Sequence, residues 1–185
     1  MMPSNPLVLA SAYADGAALT ASITATSILH ASGKAVVPAS SLQLGSFIKA
    51  YIRGRISTVV TTPGTLTLDM RFGNVVVSAL GAIPLNIVAQ ANASFEAEIT
   101  ARITALGTGT AATALVMGRF TSRALVGSAL VAAGGNGTII LPDTTPAVGT
   151  GFDSTAALLV DVFATWSLNN ANSIQVHQSV LEFKV

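Results

Sequence analysis

Between Ala91 and Gly107 the chain alternates almost without a fault. Ala93, Phe95, Ala97, Ile99, Ala101, Ile103 and Ala105 take one register; Ser94, Glu96, Glu98, Thr100, Arg102 and Thr104 take the other. Successive side chains of an extended backbone point to opposite faces, so this run reads as a long strand with one dry and one wet face. The same period recurs along the chain. Leu19, Ala21, Ile23, Ala25, Ser27 and Leu29 form a first run. Ile48, Ala50, Ile52 and Ile56 form a second, and Leu66, Leu68, Met70 and Phe72 a third. Between the last two, Thr61-Thr62-Pro63-Gly64 is a turn, with a fixed φ at the proline and a permissive one at the glycine. Phe72-Gly73-Asn74-Val75 reads as a tight hairpin, and Leu106–Thr110 as a turn into "AATALVMGRFTS". The Gly- and Pro-rich stretch Gly127–Thr150 reads as two loops flanking a short strand, "TIIL". Alternation resumes in "STAALLVDVFATWSL" and, after the turn "NNAN", in "SIQVHQSVLEFKV". There the apolar register shifts between Val176 and Leu181, which predicts a bulge near Gln178–Ser179.

No segment sustains a helical period. About eight or nine strands separated by turn signals predict one all-β domain, an antiparallel jelly-roll-like β-sandwich spanning residues 17–185. Residues 1–16 are expected to form an N-terminal arm. They include a short apolar run without a basic flank, so no signal peptide is read there.

Composition narrows the function classes. Charged residues make up 9% of the 185, against about 25% in an average soluble domain, while 51% are hydrophobic. Mean hydropathy is +0.65. The uncharged stretches Phe72–Phe95 and Ala124–Pro142 are each interrupted by Gly, Asn or Pro, so neither reads as a spanning helix. Only 5% of residues are aromatic, too few for the girdles of a transmembrane barrel. No membrane partner is expected. A formal net charge of +1 without Lys/Arg clusters also argues against direct nucleic-acid binding. The absence of Cys removes disulfides and thiolate chemistry. A weakly charged Thr/Ser/Ala surface on a chain this apolar implies that part of it faces other protein.

Two strands point the same way. In "STAALLVDVFATWSL", Ala156 to Leu168 set one apolar face, yet Leu159 and Phe163 sit on the other beside Asp161. In "AATALVMGRF", Leu115 and Met117 lie opposite Val116 and Phe120. Leu115, Met117, Leu159 and Phe163 are therefore candidate subunit-interface residues, with a central strand under a loop as the alternative. Glu96, Glu98 and Arg102 share one face and are expected to pair across to Arg53, Arg55 or Arg71.

Catalytic patterns are missing. The two histidines, His30 and His177, are far apart; His30 reads as a turn residue and His177 as a packed or interface one. No G-x-S-x-G elbow is present, although a Ser-His-Asp set assembled in space stays open. "GTGFDST" lacks the lysine and helix of a phosphate loop, so Asp153 and Ser154 read as turn-bonding residues. Asp143 and Asp153 could share a loop cation, but their spacing is unspecific. No enzyme activity, cofactor or metal is expected.

Three segments, Gly54–Gly73, Met117–Gly127 and Leu141–Glu182, together resemble a group of small tailed-bacteriophage proteins that look like virion structural components. The resemblance implies a homotrimeric jelly-roll decoration (cement) or minor capsid protein. Such a protein is made in the host bacterial cytoplasm and sits on the capsid surface, with the major capsid protein as partner. It carries over no site residues. Two alternatives stand beside it: a tail- or fibre-associated jelly roll that binds host glycans, and a small hydrolase or cupin-like enzyme. Trp166 falls on a core face, which counts against an aromatic glycan platform, and two distant histidines count against a cupin.

Overall fold

The computed structural model describes residues 6–59, 61–78, 80–126 and 137–185. Its strands are β1 (Leu7–Ser11), β2 (Leu19–Thr20), β3 (Thr26–Ser27), β4 (Ala35–Val37), β5 (Phe47–Thr58), β6 (Thr65–Phe72), β7 (Val75–Val76), β8 (Ala82–Pro84), β9 (Gln90–Ala105), β10 (Thr113–Ser122), β11 (Gly137–Leu141), β12 (Leu158–Trp166) and β13 (Ser173–Lys184). One 3-10 turn, Ala31–Gly33, precedes β4. Eight strands have five residues or more, in line with the turn spacing. The other five are two- or three-residue pieces, too short to leave a period in the sequence.

Two antiparallel sheets pack face to face. The larger has the order β1-β13-β5-β9-β10-β11, with β2 also on β13. The smaller has the order β3-β12-β6-β7, with β4 on β12 and β8 on β6. The first strand pairs with the last (β1 with β13), and β3 and β4 pair with β12. The chain thus coils inward as a folded-over ribbon, the jelly-roll connectivity, with β10 and β11 added at one edge.

The inner face of the larger sheet explains the high alanine content. Where β5 meets β9, five successive inward pairs set a large residue against a small one: Ile48 with Ala101, Ala50 with Ile99, Ile52 with Ala97, Gly54 with Phe95 and Ile56 with Ala93. The β9–β10 ladder repeats this, with Val116 on Ala101, Gly118 on Ile99, Phe120 on Ala97 and Ser122 on Phe95. A one-residue slip would turn the apolar set to solvent. A two-residue slip would keep the faces but stack large on large. The size pattern therefore fixes register where hydrophobicity alone does not. Gly54 is the tightest point: a Cβ there would meet the Gln175 carbonyl oxygen at 1.9 Å and the Phe95 ring at 2.9 Å. Facing this sheet, Leu66, Leu68, Met70 and Phe72 of β6 and Val160, Val162, Ala164 and Trp166 of β12 complete the core. Trp166 is buried, its Nε1 donating to the Leu19 carbonyl at 3.4 Å.

Two expectations, the first run and the N-terminal arm, need correction, while the bulge and the short strand "TIIL" are found close to where the sequence places them. Residues 19–29 are not one strand: β2 joins the larger sheet and β3 the smaller. Ala21, at φ 45°, turns the chain between them. Of the segment expected as an N-terminal arm, Leu7–Ser11 pairs with β13, and Gly16 N–H donates to the Val176 carbonyl at 2.8 Å; residues 1–5 lie outside the described residues. The bulge in β13 falls between Val176 and Gln178, so His177 is the extra residue. Of the Gly127–Thr150 region, "TIIL" lies in β11, while residues 127–136 lie outside the described residues.

Candidate functional site

The outer face of the larger sheet carries the polar half of each alternating strand. Glu96 and Glu98 of β9 anchor an ionic ladder there. Arg53 Nε lies 2.9 Å from Glu96 Oε2, and Lys49 Nζ 2.8 Å from Glu98 Oε1. Arg119 reaches Glu96 at 3.5 Å and Glu98 at 3.9 Å. Of the partners expected from the sequence, Arg53 takes its place. Arg55 instead donates to the Asn92 carbonyl at 3.4 Å, and Arg71 belongs to the other sheet. Burial by itself would raise the pKa of Glu98. Hydrogen bonds from Lys49 and Tyr51, with the charges of Lys49 and Arg119, outweigh it and hold the carboxyl below its ordinary 4.5. Burial likewise opposes the charge on Lys49, but its bonds to Glu98 and Tyr51 win and raise the ammonium above 10.5.

Beside this ladder the sheet is irregular. The β13 bulge breaks alternation so that His177 and Gln178, neighbours in sequence, both border the outer face next to Arg53 and Gly54. Asn92, with φ 49°, and a register shift between Ile56 and Thr58 distort the adjoining part of β9 and β5. Bulges of this kind re-aim side chains. The result is a cleft of about 470 Å³ lined by Arg53, Arg55, Ser94, Glu96, His177 and Gln178, among others. A second cleft of about 310 Å³ shares Arg53 and Gln178 and continues to Tyr51 and Glu182. The two clefts meet at the Arg53–Gln178 pair, which lines both, and form a trough with that pair across its middle.

His177 Nδ1 lies 3.0 Å from Asp15 Oδ2, a pairing between the first and last segments of the chain that no short motif announces. Ser94 lines the same cleft, but it sits on β9 with β5 between it and β13. Two strand spacings amount to roughly 10 Å, too far for a serine to give its proton to this histidine.

The four residues expected at a subunit seam lie on outer faces, but on opposite sheets. Leu115 and Met117 occupy β10 of the larger sheet, and Leu159 and Phe163 occupy β12 of the smaller. Leu159 is 41% exposed and pairs with Val36, itself 57% exposed, giving the smaller sheet a bare apolar pair. Phe163 is half-buried because the Arg71 guanidinium lies 4.0 Å from its ring centre. Asp161, between Leu159 and Phe163, is buried on this outer side. It accepts from Ser27 Oγ at 3.0 Å and from Val162 N–H at 2.8 Å, and pairs with Lys34 Nζ at 2.8 Å.

His30 is a turn histidine: its Nδ1 accepts from Ser32 N–H at 3.2 Å at the start of the 3-10 turn. Asp153 accepts from Thr155 N–H at 2.9 Å, and Ser154 Oγ bonds both N–H and carbonyl of Gly107. Asp143 and Asp153 are not part of any group of three or more metal-ligating side chains among the described residues. Among those residues no helix is long and apolar enough to cross a membrane. No protein-family model matches the chain, and no curated protein matches it.

The trough was legible only in part. The shifted register near Gln178 announced a bulge, and "RGR" announced two outward arginines around a glycine. That these meet Tyr51, Asp15 and Glu182 depends on the pairing of β13 with β5 and on the fold of the first segment across it.

Proposed function

We propose that the chain is a non-enzymatic structural component of a tailed-bacteriophage virion: a trimeric decoration (cement) or minor capsid protein that binds and stabilises the head shell. The observation that carries the reading is the placement of apolar side chains on opposite outer faces, half-buried Leu115 and Met117 on one sheet and exposed Leu159 with Val36 on the other. A three-fold ring is built from heterologous contacts, in which one patch of each copy meets a different patch of the next. Two different patches on one copy supply the pair of surfaces that a heterologous contact needs, and native mass reads whether the contact closes at three. The resemblance of three segments to phage virion proteins, the rigid two-sheet module and the sparse charge support the same role. A surface with few ions has little charge to desolvate where it meets a shell.

The first test is native mass at low micromolar concentration, by mass spectrometry or light scattering. A stable species near three times 18.7 kDa is expected, followed by co-sedimentation with undecorated phage heads. A monomer at all concentrations would remove the trimer. Failure of the trimer to sediment with heads would remove the capsid role.

A further inference from the structure

We propose that the trough on the outer face of the larger sheet binds an oligosaccharide bearing a carboxylate, with Arg55 as the anchor for the acid group and Tyr51 as the stacking surface. This goes beyond a structural role in a shell and does not depend on it.

Four observations carry the assignment. First, the trough is built by departures from regular pairing. The His177 bulge, the obligatory glycine at position 54 and the left-handed Asn92 gather at one place on an otherwise regular sheet. Second, its charge is uneven. Arg53 is neutralised by Glu96 and His177 faces Asp15, but Arg55 has no carboxylate within 4 Å among the described residues and touches only a backbone carbonyl. An exposed guanidinium at the wall of a cleft is a ready partner for a carboxylate, which it can grip with two N–H groups. Third, the remaining lining mixes donors with acceptors: Gln178 offers both, Ser94 a hydroxyl, and Glu96 and Glu182 only acceptors. Sugar hydroxyls donate and accept at once and match such a mixture, whereas the successive carboxylates of an acidic peptide would meet a single cation without a carboxylate partner, Arg55. Fourth, an aromatic ring stands among carboxylates where the sequence offered only the buried Trp166. Tyr51 is on the outer face, directly opposite Glu98, with the Lys49 ammonium 4.4 Å from its ring centre, and it borders the second cleft with Glu182, so the ring face away from Lys49 is the one a sugar would stack on. Arg55 and Tyr51 stand four residues apart on β5, roughly 13 Å, on either side of the Arg53–Gln178 pair that lines both clefts, so a ligand touching both is longer than one sugar ring.

The test is titration calorimetry of the full chain with three probes: oligosaccharides carrying hexuronate or terminal sialic residues, neutral oligosaccharides of the same length, and hexaglutamate. At least one acidic oligosaccharide is expected to bind at millimolar concentration or below. Arg55→Gln is expected to weaken it about tenfold or more, the loss of a charge-assisted contact, and Tyr51→Ala to weaken it as well. Arg102→Gln, an exposed cation at the far end of the same face opposite Phe47 and Leu115, serves as the control and leaves binding unchanged. Arg55 is exposed with one long contact, so its variant keeps the fold; an unchanged melting curve verifies this. Absence of binding by every acidic oligosaccharide overturns the proposal. Equal binding of neutral sugars overturns the role of Arg55. Tighter binding of hexaglutamate overturns the saccharide and assigns the trough to an acidic protein segment. All of these outcomes leave the trimer reading untouched, since native mass decides that separately.

Discussion

Two acidic residues on opposite outer faces feel burial with opposite outcomes. At Glu98 the bonds from Lys49 and Tyr51 prevail and the pKa falls below 4.5. At Asp69 burial prevails over the neighbouring Arg71, 3.8 Å away, and the pKa rises above 3.8. The signs follow from proton counting. Between the folded pKa of Glu98 and 4.5 the unfolded chain holds more protons, so its contribution is present above 4.5 and is lost as pH falls. Between 3.8 and the folded pKa of Asp69 the folded chain holds more, so its contribution favours the fold on the acid side and is lost as pH rises. Denaturant melts on either side of pH 4.5 are therefore expected to give a shallower acid loss for Glu98→Gln and a steeper one for Asp69→Asn than for the parent. Each change stays well under the about 1.4 kcal/mol per pH unit of a full proton, because both groups keep contact with solvent. Identical slopes in all three proteins would show that neither environment differs from water. At this scale the sequence was least legible. It placed Glu98 on a wet face, but that Lys49 and Tyr51 would both reach it depends on the pairing of β5 with β9, and nothing in "TLTLDMRF" or "LLVDVFATW" marks Asp161 as buried while Asp69 stays partly exposed.

Elements were read far better, because the period of two is a local property of the chain. The turns read at 61–64, 72–75 and 106–110 mark the end of β5, both ends of β6, the end of β9 and, to within a few residues, the start of β10. β7 follows the hairpin read at Phe72–Val75; what escaped were β4 and β8 and the division of residues 19–29 into β2 and β3, which depend on a neighbour across the sheet. The large-against-small pairing is also invisible until register is known, although every residue in it is in plain view. It leads to an exchange experiment at the end of the β5–β9 ladder, where Ile56 faces Ala93 and Ile174 lies on the other side of Ile56. Ala93→Ile alone crowds the row and is expected to cost about 1–3 kcal/mol. Ile56→Ala alone leaves a void and is expected to cost about 2–5 kcal/mol. Together they restore a large-small order, so the double variant should be less destabilised than the sum by about 1 kcal/mol or more. Costs that simply add would mean the pairing of sizes does not set the register.

For the whole molecule, the all-β sandwich follows from periodicity and turns, while the placement of Leu115 and Leu159 on different sheets follows only from topology. That placement gives the ring a distinctive behaviour under mixing. Leu115→Glu spoils one patch and Leu159→Glu the other, so each variant alone is expected to be monomeric. A one-to-one mixture still offers one intact patch from each, which allows a single joint and no closure. Dimers, and nothing larger, are expected from native mass of the mixture. Trimers from either variant alone would place the seam elsewhere on the surface.

The pairing of β1 with β13 reaches beyond assembly. Leu7 lies opposite Phe183 and Ser11 opposite Val180, so the start of β1 and the end of β13 lie side by side at one corner of the sandwich. A load applied between them pulls at right angles to the strands and meets the β1–β13 bonds one after another, as a zipper is opened. A load applied across the β5–β9 ladder along the strand direction would instead strain all its bonds together. The molecule is thus mechanically weak between its first and last strands and strong along its central strands, and a body that must carry force would be gripped by its faces.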